Sequence, residues 1–229
     1  MKGGESMKVK FAVVLAVVFL IAFEAPRLFA EDGRFALSAK AGTLGIGLEA
    51  AANLNSNFNA RLGFNIFEYD YDGTESNIKY DFELGLLTFA GLVDWFPFEQ
   101  GFRLTGGLMV NNNDLDMKAT ASGSYDIGGT TYTAAEVGTL KGELDFNDFA
   151  PYIGLGWGNP FGRESNWSFN FDLGVMFQGS PDVSFSTDGT LSNNAAFRTN
   201  LEREKQDLEG ELDDFEYYPV ISFGVTYRF

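Results

Sequence analysis

The sequence contains no cysteine and no histidine among its 229 residues. Without cysteine, neither a disulfide nor a thiolate metal site can hold the fold together. Without histidine there is no Ser-His or Cys-His nucleophile pair, no imidazole base and no imidazole metal ligand. We therefore expect a protein that is not an enzyme and that carries no cofactor.

Basic residues are scarce as well. The chain has 16 Lys and Arg against 32 Asp and Glu, which gives a net charge of −16. Nucleic-acid binding needs clusters of Lys and Arg that face phosphates, so no nucleic-acid partner is expected. The acidic balance instead predicts an exposed surface that attracts cations.

Long apolar runs are missing except near the start. Phe11 to Phe23 is an unbroken apolar run of thirteen residues behind a lysine-containing start. A bilayer-spanning helix takes about 20 residues, whereas this length suits the apolar region of a signal peptide. We expect residues 1–30 to be a signal peptide cut after Ala30, with 31–229 as one mature domain; a short membrane anchor is the alternative. The leader carries four basic and two acidic residues, so the mature chain would carry −18.

Alternation of apolar and polar residues dominates the rest of the chain. In 167–178 and in 221–229, large apolar residues occupy one parity and small or polar residues the other. This period of two is the pattern of β-strands. We predict strands at 34–41, 44–51, 57–71, 79–95, 102–116, 145–157, 166–179 and 216–229.

The apolar face of the alternating strands can point in either of two directions. In a soluble sandwich or a lipocalin-like binder the apolar face points inward, whereas in a membrane barrel it meets lipid. Glycines crowd the polar face, which suits a narrow lumen, and aromatic residues gather at strand ends as in interfacial girdles. We therefore expect an all-β fold, a closed antiparallel up-and-down transmembrane β-barrel of about eight strands. The predicted girdle consists of Trp95, Phe96, Phe98, Trp157, Trp167, Tyr227 and Phe229.

The connections alternate between short and long. Short turns are predicted near 53–57, 97–101 and 158–166 on the periplasmic side, and longer outer loops at 72–78, 117–145 and 180–214. Gly128-Gly129 marks a hairpin tip in the second long loop. Residues 195–215 repeat apolar residues at helical spacing and predict one short helix, interrupted at Gly210, that caps the outer mouth or binds a partner.

The C-terminal stretch SFGVTYRF, residues 222–229, resembles the β-signal of outer-membrane proteins. Ser222, Gly224, Tyr227 and Phe229 hold the positions of that signal. The resemblance implies assembly through the barrel assembly machinery. A strand that merely ends the sheet is the alternative.

The mature chain as a whole resembles small eight-stranded outer-membrane barrels of the OmpA and OmpW type. The stretches APYIGLGWGNPFG (150–162), LGVMFQGSPDV (173–183) and YYPVISFGVTYRF (217–229) are similar to a group of bacterial outer-membrane proteins. The resemblance implies export through the periplasm to the outer membrane of a Gram-negative cell envelope, in contact with lipid and lipopolysaccharide. No catalytic or ligand motif comes with it, and we expect a monomer.

Charged residues on the predicted lumen face need partners, because charges that face a low-dielectric lumen should be paired. An ion-pair network that plugs the lumen would give a barrel with a structural or surface-interaction role. The alternative is a porin-like channel for small solutes or hydrophobic ligands, as the OmpW resemblance implies; a membrane-embedded lipid enzyme ranks last. The candidate ion-pair residues are Lys40, Glu49, Arg61, Glu83, Arg103, Asp172 and Arg228.

Glu68, Asp70 and Asp72, followed by Gly73, partly imitate the start of an EF-hand loop. Position twelve of such a loop would be Lys79, where a bidentate glutamate is required. We therefore predict no metal site and keep these three carboxylates only as weak candidates for loose cation binding.

Overall fold

The computed structural model describes residues 33–75, 78–98, 101–162 and 165–229, so the predicted signal peptide lies outside the described residues. Thirteen strands, two α-helices and one 3-10 helix occupy these ranges. They are β1 (Phe35–Gly42), β2 (Gly45–Asn55), β3 (Phe58–Glu75), β4 (Ile78–Trp95), β5 (Phe102–Asn111), β6 (Asp114–Ala121), β7 (Ser124–Ile127), β8 (Thr130–Thr133), α1 (Ala134–Val137), β9 (Thr139–Asp145), β10 (Phe149–Trp157), β11 (Trp167–Phe177), β12 (Asp182–Thr187), α2 (Ala195–Glu211), the 3-10 helix (Asp213–Glu216) and β13 (Tyr217–Arg228).

Eight strands form a closed circuit in which each pairs antiparallel with two neighbours. The order is β1, β2, β3, β4, β5, β10, β11, β13, and β13 returns to β1. The closing register runs from Ala36 opposite Arg228 to Gly42 opposite Ser222. The predicted antiparallel barrel wall is confirmed, including the short first hairpin, which turns at Thr43-Leu44. The total of thirteen exceeds the expected eight because the long loops contain five further strands.

The apolar side of the alternation faces away from the lumen. Leu62 is 70% exposed and Phe169 is 77% exposed, whereas their chain neighbours Arg61 and Ser168 are buried. A continuous exposed apolar surface of this kind is unfavourable in water and suits hydrocarbon. The outward residues include Ile46, Leu62, Phe89, Val93, Leu108, Val110, Ile153, Leu155, Phe169, Leu173, Ile221, Phe223 and Val225.

The two ends of the barrel differ. At the short-turn end, Trp95, Trp157 and Trp167 are exposed, and the Trp167 ring lies 4.9 Å from that of Tyr227. Phe96, which the sequence placed in the girdle, is buried; that prediction is wrong because its position continues the inward parity of β4. The barrel therefore has an aromatic rim at this end, with Phe96 turned inside it.

At the long-loop end the wall continues into what we call the outer sheet. It consists of Phe67–Glu75 of β3, Ile78–Gly85 of β4, and β6, β9 and β12. Residues Thr88–Trp95 of β4 pair with β5, and residues Ile78–Gly85 of β4 pair with β6. The loop expected at 72–78 is wrong, because β3 and β4 run on until only two residues separate them.

The predicted hairpin at Gly128-Gly129 is confirmed, with φ of 57° and 75° at the tip between β7 and β8. The Asn194 side chain caps the start of α2 by accepting hydrogen bonds from the backbone N–H groups of Ala196 and Phe197. Phe197 is buried against the Tyr132 ring, at 4.9 Å, on the side of the outer sheet that continues the lumen wall.

The helical prediction for residues 195–215 is confirmed over α2, but the predicted interruption is wrong, because α2 runs through Gly210. The four residues of α1 form a further helical turn. Within the described ranges, no helix has the length and apolarity needed to cross a bilayer.

Two adjacent glycines in β5, Gly106 and Gly107, lie on opposite faces of the wall, so their substitution tests which face points into the lumen. A Cβ on Gly107, which faces the lumen, would overlap the Gly91 carbonyl oxygen, whereas one on Gly106 would meet nothing closer than 3.9 Å. We expect Gly107→Ala to destabilise the barrel by about 1–3 kcal/mol through overpacking and Gly106→Ala to be tolerated. Urea unfolding of lipid-reconstituted protein measures both; equal effects would contradict this assignment of faces.

Candidate functional site

The lumen holds a group of six charged side chains, one from each of six wall strands. We call it the lumen cluster. Each member lies on the inward parity of its strand, so the circuit of pairings brings them to one level of the barrel. Its members are Lys40 (β1), Glu49 (β2), Arg61 (β3), Asp94 (β4), Arg103 (β5) and Asp172 (β11).

Asp172 is the anionic centre of the lumen cluster. Its carboxylate lies 2.9 Å from Nζ of Lys40, 3.3 Å from Nη2 of Arg61 and 2.7 Å from Nη2 of Arg103. Ser222 also donates to it, at 3.4 Å. Three cations on one buried carboxylate tie β1, β3, β5 and β11 together across the lumen.

Arg61 joins the remaining carboxylates. Its Nη1 lies 3.1 Å from Oε1 of Glu49, and its Nη2 donates to Oδ1 of Asp94 at 2.9 Å. Thr105 donates to the same Asp94 oxygen at 2.7 Å. The cluster contains three cations and three carboxylates, so its formal charges cancel, as buried charges require.

Arg103 fits into the cluster because a glycine faces it. A Cβ on Gly156 would lie 2.6 Å from Arg103 Nε. Nη1 of Arg103 also donates to the carbonyl of Gly158 at the short-turn end. The glycines on the polar parity therefore provide space for large lumen side chains.

An apolar layer lies in the lumen on the long-loop side of the cluster. Tyr152 and Met176 at its centre are almost fully buried. A cavity between the layer and the lumen cluster has a volume of about 30 Å³, room for about two water molecules. The layer consists of Leu44, Ala90, Leu92, Met109, Ala150, Tyr152, Met176 and Val220.

Two of the seven charged residues singled out in the sequence lie away from the cluster. Glu83 lies in the outer sheet, where its carboxylate is 3.4 Å from Lys118. Arg228 lies at the short-turn end and donates to the Pro160 carbonyl at 3.4 Å. The other five meet in the lumen, together with Asp94, which sequence reasoning missed. Asp94 carried a signal, a lone carboxylate on the inward parity of an apolar stretch.

The residues of the predicted C-terminal signal alternate across the wall. Ser222 is buried and bonds to Asp172, whereas the Tyr227 ring packs 5.3 Å from that of Phe229. A Cβ on Gly224 would lie 2.5 Å from Oδ1 of Asn170. The backbone N–H of Phe229 donates to the Phe35 carbonyl at 3.0 Å. Ser222, Gly224 and Tyr227 thus belong to the strand that closes the barrel, and Phe229 directly follows it.

The outward face changes polarity where the wall becomes the outer sheet. Along β3, Leu62, Phe64 and Ile66 are followed on the same parity by Glu68, Asp70 and Asp72. Strand β4 does the same, from Phe89 and Leu87 to Glu83 and Asp81. The opposite face of the outer sheet is apolar and partly covered by α2 and the β7–β8 hairpin. This inversion marks the level at which the apolar belt ends.

The outward face of the outer sheet is strongly acidic, because cross-strand partners share a face. Glu68, Asp70 and Asp72 alternate along a strand, so they do not form an EF-hand loop. Within the described ranges, no group of three acidic side chains is close enough to hold a metal ion. The face carries Glu68, Asp70, Asp72, Asp81, Glu83, Asp114, Asp116, Glu143, Asp145 and Asp182 with Lys79, Lys118 and Lys141.

No protein-family model matches the sequence, and no curated protein matches it by sequence. Among solved structures, the chain is similar to CarO2 of Acinetobacter baumannii, with 23% identity and a TM-score of 0.57 over 85% of this chain and 98% of that one. CarO of the same organism gives 21% identity and a TM-score of 0.52 over 85% and 97%. A major outer membrane protein of Thermus thermophilus gives 14% identity and a TM-score of 0.39 over 85% and 99%.

The closed circuit, the apolar outward belt and the polar lumen define the class of the protein. It has the fold of the small outer-membrane β-barrel proteins. The likeness to the CarO structures concerns the fold.

The lumen cluster makes a specific prediction about stability. Arg61→Met leaves three buried carboxylates facing two cations, and removal of one partner from such a group costs about 3–5 kcal/mol. Lys79→Met removes an exposed partner of Asp81, 2.8 Å away, and should change stability by less than about 1 kcal/mol. Urea unfolding in lipid vesicles compares the two; losses of equal size would contradict the packing of the cluster.

The outer sheet makes a prediction about pH. Burial raises the pKa of Asp145, and the Asp145 carboxylate raises that of Glu143. The contribution of the two protonated carboxyls to the free energy of unfolding is fully present below their ordinary pKa values near 4. It is lost as the pH rises through their raised pKa values. Asp145→Asn should therefore protect β9 and β12 amides from hydrogen exchange at pH 7 but add little at pH 4. Equal gains at both pH values would contradict this coupling.

Proposed function

We propose that the protein is a closed outer-membrane barrel whose working part is the outer sheet, with a structural or surface-interaction role. The observation that carries the proposal is the pair of side-chain layers inside the lumen. The lumen cluster and the apolar layer lie in series, and the cavity between them is only about 30 Å³. An eight-stranded barrel leaves room for side chains or one small ligand, and here side chains take that room.

The contacts of the lumen cluster support a plug that stays in place. A permeating ion would have to separate Asp172 from three cations or Arg61 from its carboxylates. Each separation leaves an uncompensated charge in a low-dielectric interior. The barrel therefore acts as an anchor that holds the outer sheet at the membrane surface.

A channel for small solutes or hydrophobic ligands is the second candidate. The observation in its favour is the cavity, which is lined by both Lys40 and Asp172 on one side and Met109 on the other. Methionine side chains are flexible and repack readily. A ligand that displaced the apolar layer would reach the lumen cluster directly.

The proposal also covers the export of the chain, its assembly into the membrane and its contacts with lipid. A leader over residues 1–30 would direct the chain through the periplasm, and the alternation of Ser222, Gly224, Tyr227 and Phe229 supports reading of β13 by the barrel assembly machinery. The apolar belt suits lipid and the surrounding lipopolysaccharide, with a monomer as the working unit. Since the chain lacks both histidine and cysteine, we propose no enzymatic role.

Conductance in planar bilayers tests the closed lumen. Mature protein inserted in folded, heat-modifiable form should give no single-channel steps, and a variant with α2 (Ala195–Glu211) replaced by a flexible linker should also be silent. A porin inserted under the same conditions shows that steps are detectable. Steps in the wild type would overturn the proposal, and steps that appear only without α2 would establish a gated channel in its place.

A further inference from the structure

The outer sheet has two edges that differ in how they are protected. At the β12 edge, the Val183 N–H donates to Oε1 of Glu209 in α2 at 3.1 Å. Lys205 of α2 adds contacts to Asp182 at 3.2 Å and to Glu209 at 3.4 Å. That edge is covered by the helix, as natural proteins commonly arrange for exposed sheet edges.

The β3 edge has no such cover among the described strands and helices. Pairing of β3 with β2 ends at Ile66 opposite Ile46. Beyond it, Phe67–Glu75 pairs with β4 on one side only. Nine residues of strand therefore present an open backbone edge above the apolar belt.

The direction of the backbone groups along this edge follows from neighbouring bonds. Leu87 of β4 accepts from the Asn112 N–H at 2.9 Å, and its own N–H donates to Asn113 at 3.0 Å, so it faces away from β3. Antiparallel ladders alternate between bonded and non-bonded pairs, so its partner Ile66 faces away from β4. By the same alternation, Glu68, Asp70 and Asp72 direct their N–H and C=O groups to the open side.

The side chains along this edge are sorted by face. Phe67, Tyr69 and Tyr71 lie on the inner face and are each about half exposed, with Tyr69 at 55%. Glu68, Asp70 and Asp72 lie on the outward face and are exposed as well. An extended chain laid along the edge would meet aromatic rings on one face and carboxylates on the other.

The acidic charge of the β3 edge determines which kind of segment can pair with it. A second copy of β3, paired antiparallel, would bring two acidic rows side by side on the same face, and like charges opposite one another destabilise a sheet. The whole chain repeats that sign, with a net charge of −16. A segment with cations on alternate residues would be attracted instead.

We propose that the open edge of β3, Phe67–Glu75, binds an extended segment of another protein by strand addition, with Lys or Arg alternating with apolar residues. Its cations lie beside Glu68, Asp70 and Asp72, its apolar side chains lie on Phe67, Tyr69 and Tyr71, and its backbone completes the open ladder. This inference rests on the proposed surface role and names the class of partner.

The test uses a fluorescent nine-residue peptide of alternating Lys and Val, with mature protein in lipid nanodiscs and fluorescence anisotropy as the readout. Saturable binding that weakens with salt is expected. A peptide with Glu in place of Lys should not bind, and a Lys-Val peptide with a central Pro should bind far more weakly. Equal binding of the Pro peptide would overturn strand addition.

Variants of one edge residue separate charge from backbone. Asp70→Asn should weaken binding and flatten its salt dependence, whereas Asp70→Pro, which also removes an N–H on the open side, should bind at least about tenfold more weakly than Asp70→Asn. Proline is tolerated at such edge positions. Glu143→Gln is the matched control, with the same charge change on the same face but on β9.

Each outcome supports or overturns the inference. If Asp70→Pro binds like Asp70→Asn, or if Glu143→Gln weakens binding as much as Asp70→Asn, the edge is not the site. Dimerisation of the mature protein that Asp70→Pro abolishes would assign the edge to a second copy and also overturn the inference. A silent bilayer recording combined with failed peptide binding would reject the edge while leaving the closed barrel intact.

Discussion

The structure depends on closure of the strand circuit between β13 and β1. Hydrocarbon offers no hydrogen-bond partners, so every backbone N–H and C=O at membrane depth must be satisfied within the protein. The seven paired positions from Ala36–Arg228 to Gly42–Ser222 remove the last free edges of the wall. Closure also fixes which parity faces inward on every strand. That constraint is what brings six charged residues from six strands to one level, where their charges cancel.

The second organising feature is the inversion of polarity along β3 and β4. The face that is apolar up to Ile66 becomes acidic from Glu68, although the strand continues without interruption. The inner face changes in the opposite sense, from the charged lumen cluster through the apolar layer to the apolar side of the outer sheet. One continuous sheet therefore faces hydrocarbon along its membrane half and water along the half beyond it. The membrane half buries polar groups inside, and the half beyond it buries apolar groups under α2.

Much of this could be predicted from residues alone. The alternation at 167–178 and 221–229 gave the correct strands and faces because lipid and lumen impose a strict period of two. The same reasoning failed for Glu83, because alternation does not report the change of solvent beyond the membrane. Asp94 was missed since a single carboxylate hardly disturbs an apolar pattern. Three of the five loop strands, β6, β9 and β12, depend on long-range pairing. The lumen-cluster residues meet only because of the strand register around the whole circuit. No local sequence pattern contains that register.

The central claim, that the outward face passes from hydrocarbon to water between Ile66 and Glu68, can be measured directly because the chain has no cysteine of its own. Single cysteines at 62, 64, 66, 68, 70 and 72 would carry nitroxide labels in reconstituted protein. Collision with oxygen and with a water-soluble nickel reagent reports lipid and water at each site. Oxygen-dominated accessibility is expected at 62, 64 and 66, and nickel-dominated accessibility at 68, 70 and 72. Water-accessible labels at 62 to 66 would contradict the claim.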